Sequence, residues 1–240
     1  LSLRRQRQMC IRDRGIVLSG GLDSALVAAV AHEAAERAGQ PVPACWTVAE
    51  SEDNPDWIAA EKVASTLDLE HHQHILEPDA FDRKLPDLTW HGEDFDVTVL
   101  FFQPLFERMA EKVTVGLCGQ GADELHGGYP RYRDLKAHGA LIDARLAAMD
   151  HPAARQMEQG DLPIGDSFYT NEHTGSAHTG SLESFLNFEL EHGQLSNFQL
   201  RLVDRHSMAH SLEVRVPFLG QAHRQASNTL PPPVSYTHLR

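Results

Sequence analysis

A short glycine-containing stretch near the amino end has the residue types of an anion-binding site. In "VLSGGLDSALVAAV", which covers 17–30, Gly20 and Gly21 separate a short apolar run from a helical pattern. Glycines let backbone N–H groups approach a ligand closely, and the start of a helix favours a negative charge. Ser19 and Ser24 add hydroxyl donors. The stretch therefore predicts a phosphate-binding turn between a strand and a helix.

The same turn contains a carboxylate where phosphate sites usually contain a lysine. No lysine follows the glycines, and the first ionisable side chain is that of Asp23. A carboxylate repels a bare phosphate but binds Mg²⁺, and proteins often share this ion with a nucleotide. A magnesium–nucleotide complex resolves the conflict. The alternative is an ordinary strand–turn–helix with an acid in the first helical turn, where acids are favoured anyway.

Two further stretches contain polar residues in an apolar setting. "GLCGQGADELHGGYPRY", at 116–132, follows an apolar strand pattern and contains the adjacent acids Asp123 and Glu124, which could supply a second carboxylate to the same metal. "DRHSMAHSLEVRVPFLG", at 204–220, places four ionisable residues among apolar ones: Asp204, Arg205, Glu213 and Arg215. Charged residues within such a segment are either paired or functional.

The rest of the chain supplies the elements that position these residues. Apolar runs and helix signals alternate, with strands predicted at 15–19, 44–49, 71–76 and 113–117 and helices at 23–39, 54–65 and 95–112. Apolar Leu26, Val30 and Ala34 recur every four residues in the first helix, and Gly39 closes it. Alternation of this kind predicts an α/β fold, a parallel sheet with helices on both faces. Beyond 129 the pattern is mainly helical, notably at 181–209, with a loop at 171–181.

Composition limits the classes of function. The 240 residues have a formal net charge of −13, which argues against nonspecific nucleic-acid binding. No apolar run is long enough to span a bilayer, and the basic start lacks the apolar core of a signal peptide. Three cysteines without paired spacing predict a reducing compartment, and we expect a cytoplasmic protein.

The two ends of the chain differ from its body. Residues 1–14 are basic and 233–240 follow a proline run, and neither has a clear pattern, so we interpret both as non-native; genuine disordered tails are the alternative. The domain is then expected at 15–232.

The three motifs together resemble a known enzyme family. SGGLDS is similar to the pyrophosphate loop of the ATP-pyrophosphatases. The three stretches, in this order and spacing, resemble the synthetase domain of the glutamine-hydrolysing asparagine synthetases over 15–232. The connecting "LEHHQHILEPDAFDRKLPDLTWH" is similar to that family too. The resemblance implies an adenine nucleotide alpha-hydrolase-like fold, ATP and Mg²⁺ as cofactors, and aspartate or another carboxylate and ammonia as substrates.

The resemblance also implies a reaction and its residues. A substrate carboxylate attacks the α-phosphorus of ATP, pyrophosphate leaves, and ammonia converts the acyl-adenylate to an amide. Asp23 and Asp123 match the Mg²⁺ ligands, and together with Gln120 and Glu124 they form the expected catalytic set. Positions matching ATP contacts are Leu18, Ser19, Gly20, Gly21, Asp23, Ser24, Val48, Cys118 and Gly119. Arg205, Glu213 and Arg215 are candidate substrate contacts.

Several positions depart from the family pattern. Gln120 stands where glutamate is common, and a glutamine cannot act as a base; the change indicates either a different substrate or an inactive site. Cys118 replaces serine, His206 replaces methionine and Gly220 replaces aspartate. The family's glutaminase domain and its lysine-bearing C-terminal segment have no counterpart in the 240 residues. We therefore expect a glutaminase domain in the full-length protein, and a homodimer is a further possibility.

Alternatives remain open at this point. Amidation of a small peptide or closure of a β-lactam could replace asparagine synthesis, and Gln120 also suits a nucleotide-binding pseudoenzyme. His72 and His74 share one strand face, but we expect packing rather than metal binding. Cys118 is expected to pack as a serine would rather than react as a thiol. The tryptophans, Trp46, Trp57 and Trp90, are expected in the core.

Overall fold

The computed structural model describes residues 13–93, 102–148, 181–191 and 193–230. Contacts divide the chain into two compact units. The first, here called the sheet unit, lies within Leu1–Gln120 and Leu200–Gly220, and the second, the helical unit, lies within Gly121–Gln199 and Gln221–Arg240.

The bounds of the elements follow the chain in order. The strands are β1 Arg14–Val17, β2 Ala44–Ala49, β3 His71–Ile75, β4 Val115–Leu117 and β5 Glu213–Arg215. The helices are α1 Leu22–Arg37, α2 Pro55–Thr66, α3 Ala80–Gly92, α4 Phe102–Ala110, α5 Ala122–His126, α6 Leu135–Ala148, α7 Leu182–Glu191, α8 Leu200–Met208 and α9 Gln221–Ser227. Short 3₁₀ turns cover Pro130–Arg133 and Pro217–Leu219, and a π-helical turn covers Leu195–Gln199.

The sheet unit is built on five parallel strands in the order β3-β2-β1-β4-β5. α1 packs on β1, α2 and α4 on β2, and α8 on β5 and α4. Right-handed crossovers put α1 and α2 on one face of the sheet, because the chain steps from β1 to β3 in one direction. The chain then steps back to β4 and β5, so α4 and α8 cover the opposite face. The predicted α/β architecture is confirmed.

Local signals explain why the first two helices begin and end where they do. α1 starts after Gly21 without a side-chain cap, and Gly39 follows its end with a φ of 58°. Asn54 caps α2 by accepting hydrogen bonds from the backbone nitrogens of Asp56 and Trp57, at 2.8 and 3.3 Å. Pro55 occupies the first helical position, where its missing N–H costs nothing. These features agree with the sequence prediction.

The core lies between the sheet and the α4/α8 layer. It includes Trp46, Phe106, Met109, Val203 and Leu212, all buried. Trp46 and Trp57 are in the core as predicted, whereas Trp90 is 80% exposed, so that prediction is wrong.

The apolar spacing that predicted α1 does not mark its buried face. Leu26 and Val30 are 47% and 56% exposed, while the buried positions include Ser24, Val27 and Ala28. Small side chains on the buried side let α1 approach the sheet closely. The helix is confirmed, but its orientation could not be inferred from the larger apolar residues.

The helical unit has its own small core. Tyr132, Phe185 and Leu186 are buried together, and Tyr129, Leu135 and Phe188 pack against them. The predicted helical character of 181–209 is confirmed for its described residues. The predicted loop at 171–181 lies almost wholly outside the described residues, as do the start of the helix predicted at 95–112 and most of both terminal tails.

Two elements were not predicted from the sequence. The sequence predicts no strand after 129, yet β5 pairs in parallel with β4 through Val214 and Gly116. The stretch at 80–92 forms α3 with Pro86 inside it. Among the described residues, no helix is both long and apolar enough to cross a bilayer.

Candidate functional site

The strand order creates a crevice at the carboxyl ends of β1 and β4. The chain leaves β1 toward β2 on one side, while β4 leads to β5 on the other. Open parallel sheets bind ligands at such a reversal point, because the loops after the two strands diverge there. The loop after β1 contains Ser19, Gly20 and Gly21, and the loop after β4 contains Cys118 and Gly119. The sheet unit thus brings two of the predicted motifs to one edge.

Hydroxyl groups fix the conformation of the loop after β1. The backbone nitrogen of Ser19 donates to Ser24 Oγ at 3.2 Å, and that hydroxyl donates to the carbonyl of Gly21 at 3.0 Å. Because the Ser24 proton is already used, the 3.1 Å contact between the two hydroxyls must use the Ser19 proton. The backbone nitrogen of Gly21 in turn donates to Ser19 Oγ at 3.4 Å. The loop is therefore ordered by its own residues.

Two glycines lie where the loop touches its surroundings, one at a position that requires glycine and one at a close approach. Gly20 has a φ of 73°, and a β-carbon there would lie 2.5 Å from both the backbone nitrogen of Ala60 and the β-carbon of Ala59. A β-carbon on Gly119 would lie 3.1 Å from the backbone nitrogen of Ser24 and 3.2 Å from the β-carbon of Asp23. The loop after β4 thus lies directly against the start of α1.

The electrostatics of the loop come from the backbone rather than from cations. The first N–H groups of α1 have no acceptors within the helix, and no side chain caps them. Together with the helix dipole they favour an anion. The only ionisable group of the loop is the half-buried Asp23. The polar side chains of the loop, Ser19, Asp23 and Ser24, present only oxygen atoms, which is the ligand type that Mg²⁺ prefers.

The strand ends behind the loop are buried. Leu18 is 1% exposed and lies in register beside β2, with its backbone nitrogen donating to the carbonyl of Trp46 at 3.0 Å. Its carbonyl accepts a hydrogen bond from the Thr47 hydroxyl at 2.6 Å. Val48 is partly buried near the end of β2. Thr47 was not among the predicted site residues, because a threonine in a strand carries no signal of a partner 29 residues away.

Cys118 is a structural residue in this arrangement. Its backbone nitrogen donates to the carbonyl of Arg215 at 2.9 Å, and burial raises the pKa of its thiol to about 11. A thiol with that pKa is protonated at neutral pH and is a poor nucleophile. The serine-like packing role therefore fits better than a reactive thiol. Gln120, the last residue of the sheet unit, is partly exposed.

Asp123 and Glu124 begin α5 in the helical unit. Burial raises the pKa of Asp123 above its ordinary value, while Arg131 and Tyr129 act in the opposite direction. A β-carbon on Gly128 would overlap the Asp123 carboxylate, so this glycine leaves room for that side chain. Asp123 is thus a half-buried carboxylate held beside a glycine turn.

Glu124 is in a different environment from its neighbour. Its side chain is fully buried, and neither carboxylate oxygen has a hydrogen-bond partner among the described residues. Burial, reinforced by the nearby charge of Asp123, raises the pKa of Glu124 to about 7. It lines a cavity of about 400 Å³ with His126, Asn187 and Ser227. The pair therefore consists of one half-buried and one fully buried acid.

A buried ion pair, which sequence analysis overlooked, supports this region. Arg131 lies 2.8 Å from Glu189 and stacks over Tyr129, with its guanidinium carbon 4.0 Å from the ring centre. Glu189 is 6% exposed and also accepts a hydrogen bond from the Tyr132 hydroxyl at 3.3 Å. An arginine that is both ion-paired and stacked on an aromatic ring can position neighbouring segments.

The three candidate substrate contacts all have partners within the sheet unit. Arg205 donates to the carbonyl of Gly92 at 2.6 Å and pairs with Glu93 at 2.9 Å. Arg215 pairs with Glu213 at 2.8 Å on the exposed edge strand. These ion pairs agree with the interpretation that charged residues in an apolar segment are paired. A role of the three residues in substrate binding stays a prediction.

Metal-ligand clusters are considered for the part of the chain that the structure describes. Within it, no group of three or more histidine, cysteine or acidic side chains could hold a metal ion. His72 lies 3.0 Å from the carboxylate of Glu70 and packs against Trp46, with ring centres 4.6 Å apart. Asp23 and Asp123 lie in different units.

The chain was also compared with known proteins. The family model described as Asparagine synthase matches residues 4–237. An asparagine synthetase (glutamine-hydrolyzing) 1 of Bacillus subtilis (strain 168) is 24% identical over 90% of this chain and 40% of its own length. The asparagine synthetase (glutamine-hydrolyzing) of Cricetulus griseus is 27% identical over 95% of this chain and 34% of its own length.

A third relative is more similar over a shorter stretch. The probable asparagine synthetase (glutamine-hydrolyzing) of Schizosaccharomyces pombe is 33% identical over 52% of this chain and 26% of its own length. The chain thus spans well under half the length of the relatives that it matches.

Proposed function

Because the chain belongs to the asparagine synthase family, we propose that it is the ATP-dependent synthetase part of an asparagine synthetase. In this proposal it activates the side-chain carboxylate of aspartate with ATP and transfers ammonia to it. The relatives are named for glutamine hydrolysis, so in the full-length protein the ammonia would come from glutamine through a glutaminase domain.

One observation carries the proposal. The loop after β1, ordered by Ser19 and Ser24, lies at the reversal point of the sheet and at the uncapped start of α1. It offers backbone N–H groups to an anion at the edge where parallel sheets bind nucleotides. The loop after β4 approaches it through Gly119. This geometry suits the pyrophosphate end of ATP.

The proposed reaction has two steps. An aspartate carboxylate oxygen attacks the α-phosphorus of ATP, and the bond to the bridging oxygen breaks, so that pyrophosphate leaves and β-aspartyl-AMP forms. Ammonia then attacks the acyl carbon, AMP leaves, and the nitrogen loses a proton to give asparagine. The loop would stabilise the negative charge that develops on the leaving pyrophosphate.

The donor set supports a hard divalent cation. Asp23, Ser19 and Ser24 offer oxygen atoms, and the sulfur of Cys118 is buried and protonated. In the proposal Asp23 and Asp123 are both ligands of Mg²⁺, which when bound would neutralise charge on the pyrophosphate. Gln120 and Glu124 belong to the proposed catalytic set, and Leu18, Val48 and the two loops to the ATP site.

Carboxylate-dependent exchange of labelled pyrophosphate into ATP tests the proposal. The chain is incubated with Mg-ATP and labelled pyrophosphate, with aspartate, with glutamate or with no acid. Exchange that requires aspartate and is lost in Asp23→Asn is the expected result. Exchange with no added acid, or unaffected by Asp23→Asn, would contradict it.

A second candidate is supported by Gln120. A glutamine cannot accept a proton as the family's glutamate can, so a chain that binds Mg-ATP without adenylating any acid is the alternative. A further alternative is an enzyme that amidates a different carboxylate, such as that of a small peptide. Mg-ATP binding without exchange across a panel of carboxylic acids would favour the binding module, and exchange with another acid would favour the different substrate.

A further inference from the structure

A chain of hydrogen bonds leads from β3 to the loop after β1. The Nε2 atom of His71 lies 2.8 Å from the Thr47 hydroxyl oxygen, and that hydroxyl donates to the carbonyl oxygen of Leu18 at 2.6 Å. A hydroxyl has a single proton, and here the carbonyl receives it. His71 must therefore carry a proton on Nε2 and donate it to Thr47. Three neighbouring strands are joined by this contact.

The peptide group between Leu18 and Ser19 is held from both ends. Thr47 binds its carbonyl oxygen, and Ser24 Oγ accepts its N–H at 3.2 Å. The Ser24 hydroxyl then donates to the carbonyl of Gly21 at 3.0 Å, which lies within the loop. This peptide plane, at the entrance to the loop, is therefore fixed by Thr47 on one side and by Ser24 on the other.

We propose that Thr47 is a positioning residue for the pyrophosphate loop, acting through the Leu18–Ser19 peptide, and that His71 orients the Thr47 hydroxyl. The inference rests on the proposed function, since the ligand concerned is the pyrophosphate end of ATP. Thr47 is 4% exposed and acts from beneath the loop. Without its hydroxyl, the Leu18 carbonyl would be buried without that partner, and the peptide plane could rotate toward another donor.

Thr47→Val tests this role, because valine keeps the shape and the branched β-carbon but removes the hydroxyl. Binding of Mg-ATP and of Mg-pyrophosphate is measured by calorimetry on the purified chain. We expect both dissociation constants to rise about tenfold, which is the scale of one lost buried hydrogen bond. Thr47→Ser retains the hydroxyl and should stay within about twofold of the wild type.

Thr66→Val is the matched control. Thr66 also donates its hydroxyl to a backbone carbonyl, that of Lys62 at 2.7 Å, but at the exposed end of α2. This variant should bind both ligands as the wild type does. Equal binding by Thr47→Val and wild type, with only a lower melting temperature, would overturn the positioning role. Failure of the wild-type chain to bind Mg-ATP would instead overturn the proposed function, and this inference with it.

The tautomer of His71 gives a measurement that does not depend on the variant folding. Burial lowers the pKa of His71, with a further contribution from His72, so the ring is neutral above pH 7. Nitrogen-15 chemical shifts of the wild-type chain should then show the proton on Nε2. A proton on Nδ1 would overturn the relay, because Nε2 would then compete with the Leu18 carbonyl for the Thr47 proton.

Discussion

Gly20 lies directly against Ala60. With a φ of 73°, it turns the loop after β1 so that a β-carbon would lie 2.5 Å from the backbone nitrogen of Ala60 in α2. Gly39 has a similar φ of 58°, but nothing lies within 4 Å of the corresponding position. The two glycines separate the cost of an unfavourable φ from the cost of a steric clash.

Substitution of these glycines should therefore have unequal effects. Gly39→Ala incurs only the left-handed conformation, about 1 kcal/mol of unfolding free energy. Gly20→Ala adds a clash with the α2 backbone and should cost at least about 3 kcal/mol and weaken Mg-ATP binding. Urea unfolding of both variants measures the difference. Equal losses of stability would mean that the loop does not pack against α2.

Asp23→Asn should abolish Mg-ATP binding while the fold remains. Asp23 lies in the first turn of α1 without capping it, so asparagine loses only the interaction of the charge with the helix dipole and stability should change by less than about 1 kcal/mol. Asp56→Asn is the matched control, since Asp56 also lies in the first turn of its helix, α2. Calorimetry with Mg-ATP and a thermal melt measure both quantities. Loss of the cooperative thermal transition in Asp23→Asn would indicate that Asp23 has a structural role.

Gln120 is expected to matter for chemistry rather than for nucleotide affinity. It ends the sheet unit in the loop after β4, three residues before Asp123. Gln120→Ala should lower turnover by about tenfold or more and change the Mg-ATP dissociation constant by less than about twofold. Gln73→Ala, on the exposed side of β3, serves as control. Equal losses of turnover and of Mg-ATP affinity would indicate that Gln120 contacts the nucleotide, and would contradict a role in the chemical step.

The contribution of the buried histidines to stability should fall as the pH drops from about 7 to about 5, while that of Glu124, whose pKa is raised to about 7, should rise over the same range. Burial, and then the neighbouring His91 and His210, lower the pKa of His206, and burial also lowers the pKa of His126. Groups whose pKa is lower in the folded state bind fewer protons there than in the unfolded chain. Their contribution to the free energy of unfolding is complete above the ordinary pKa of histidine. It is lost as the pH falls toward the lower pKa that each histidine has in the folded state.

His206→Met isolates one of these groups. His206 is 1% exposed, and its Nδ1 atom has no hydrogen-bond partner among the described residues. Methionine fills similar space without burying a polar ring, so the variant should gain about 1 kcal/mol at pH 7.5, and the gain should be larger at pH 5, where the unfolded wild type takes up a proton that buried His206 does not. Chemical unfolding at pH 7.5 and 5 measures this. An unchanged pH slope would show that His206 is not among the groups that titrate on unfolding.

Helices and strands were predictable where the residue types and the length of a segment both indicated the same element. β2 matches its predicted bounds because six mostly apolar residues lie between Pro43 and Glu50. Asn54 and Pro55 marked the start of α2, because asparagine favours the N-cap position and proline favours the first helical position. β5 was missed because two of its three residues are charged. An edge strand can expose such side chains, and only its pairing with β4 defines it.

The site was partly predictable for a related reason. A turn built from adjacent residues, such as Ser19 to Ser24, can be recognised in the sequence because its hydrogen bonds are local. The contact of Thr47 with Leu18 cannot, because it depends on strand order and register. Asp123 and Glu124 looked equivalent as neighbouring acids, yet one is half-buried and the other fully buried.

Oxygen-18 transfer from aspartate to AMP shows whether the carboxylate attacks the α-phosphorus of ATP. The chain is supplied with Mg-ATP, ammonium and aspartate labelled with oxygen-18 in its side-chain carboxylate, and the nucleotide products are analysed by mass spectrometry. We expect AMP carrying one labelled oxygen for each asparagine formed, because the carboxylate attacks the α-phosphorus. Label in inorganic phosphate together with ADP would contradict it, as would unlabelled AMP.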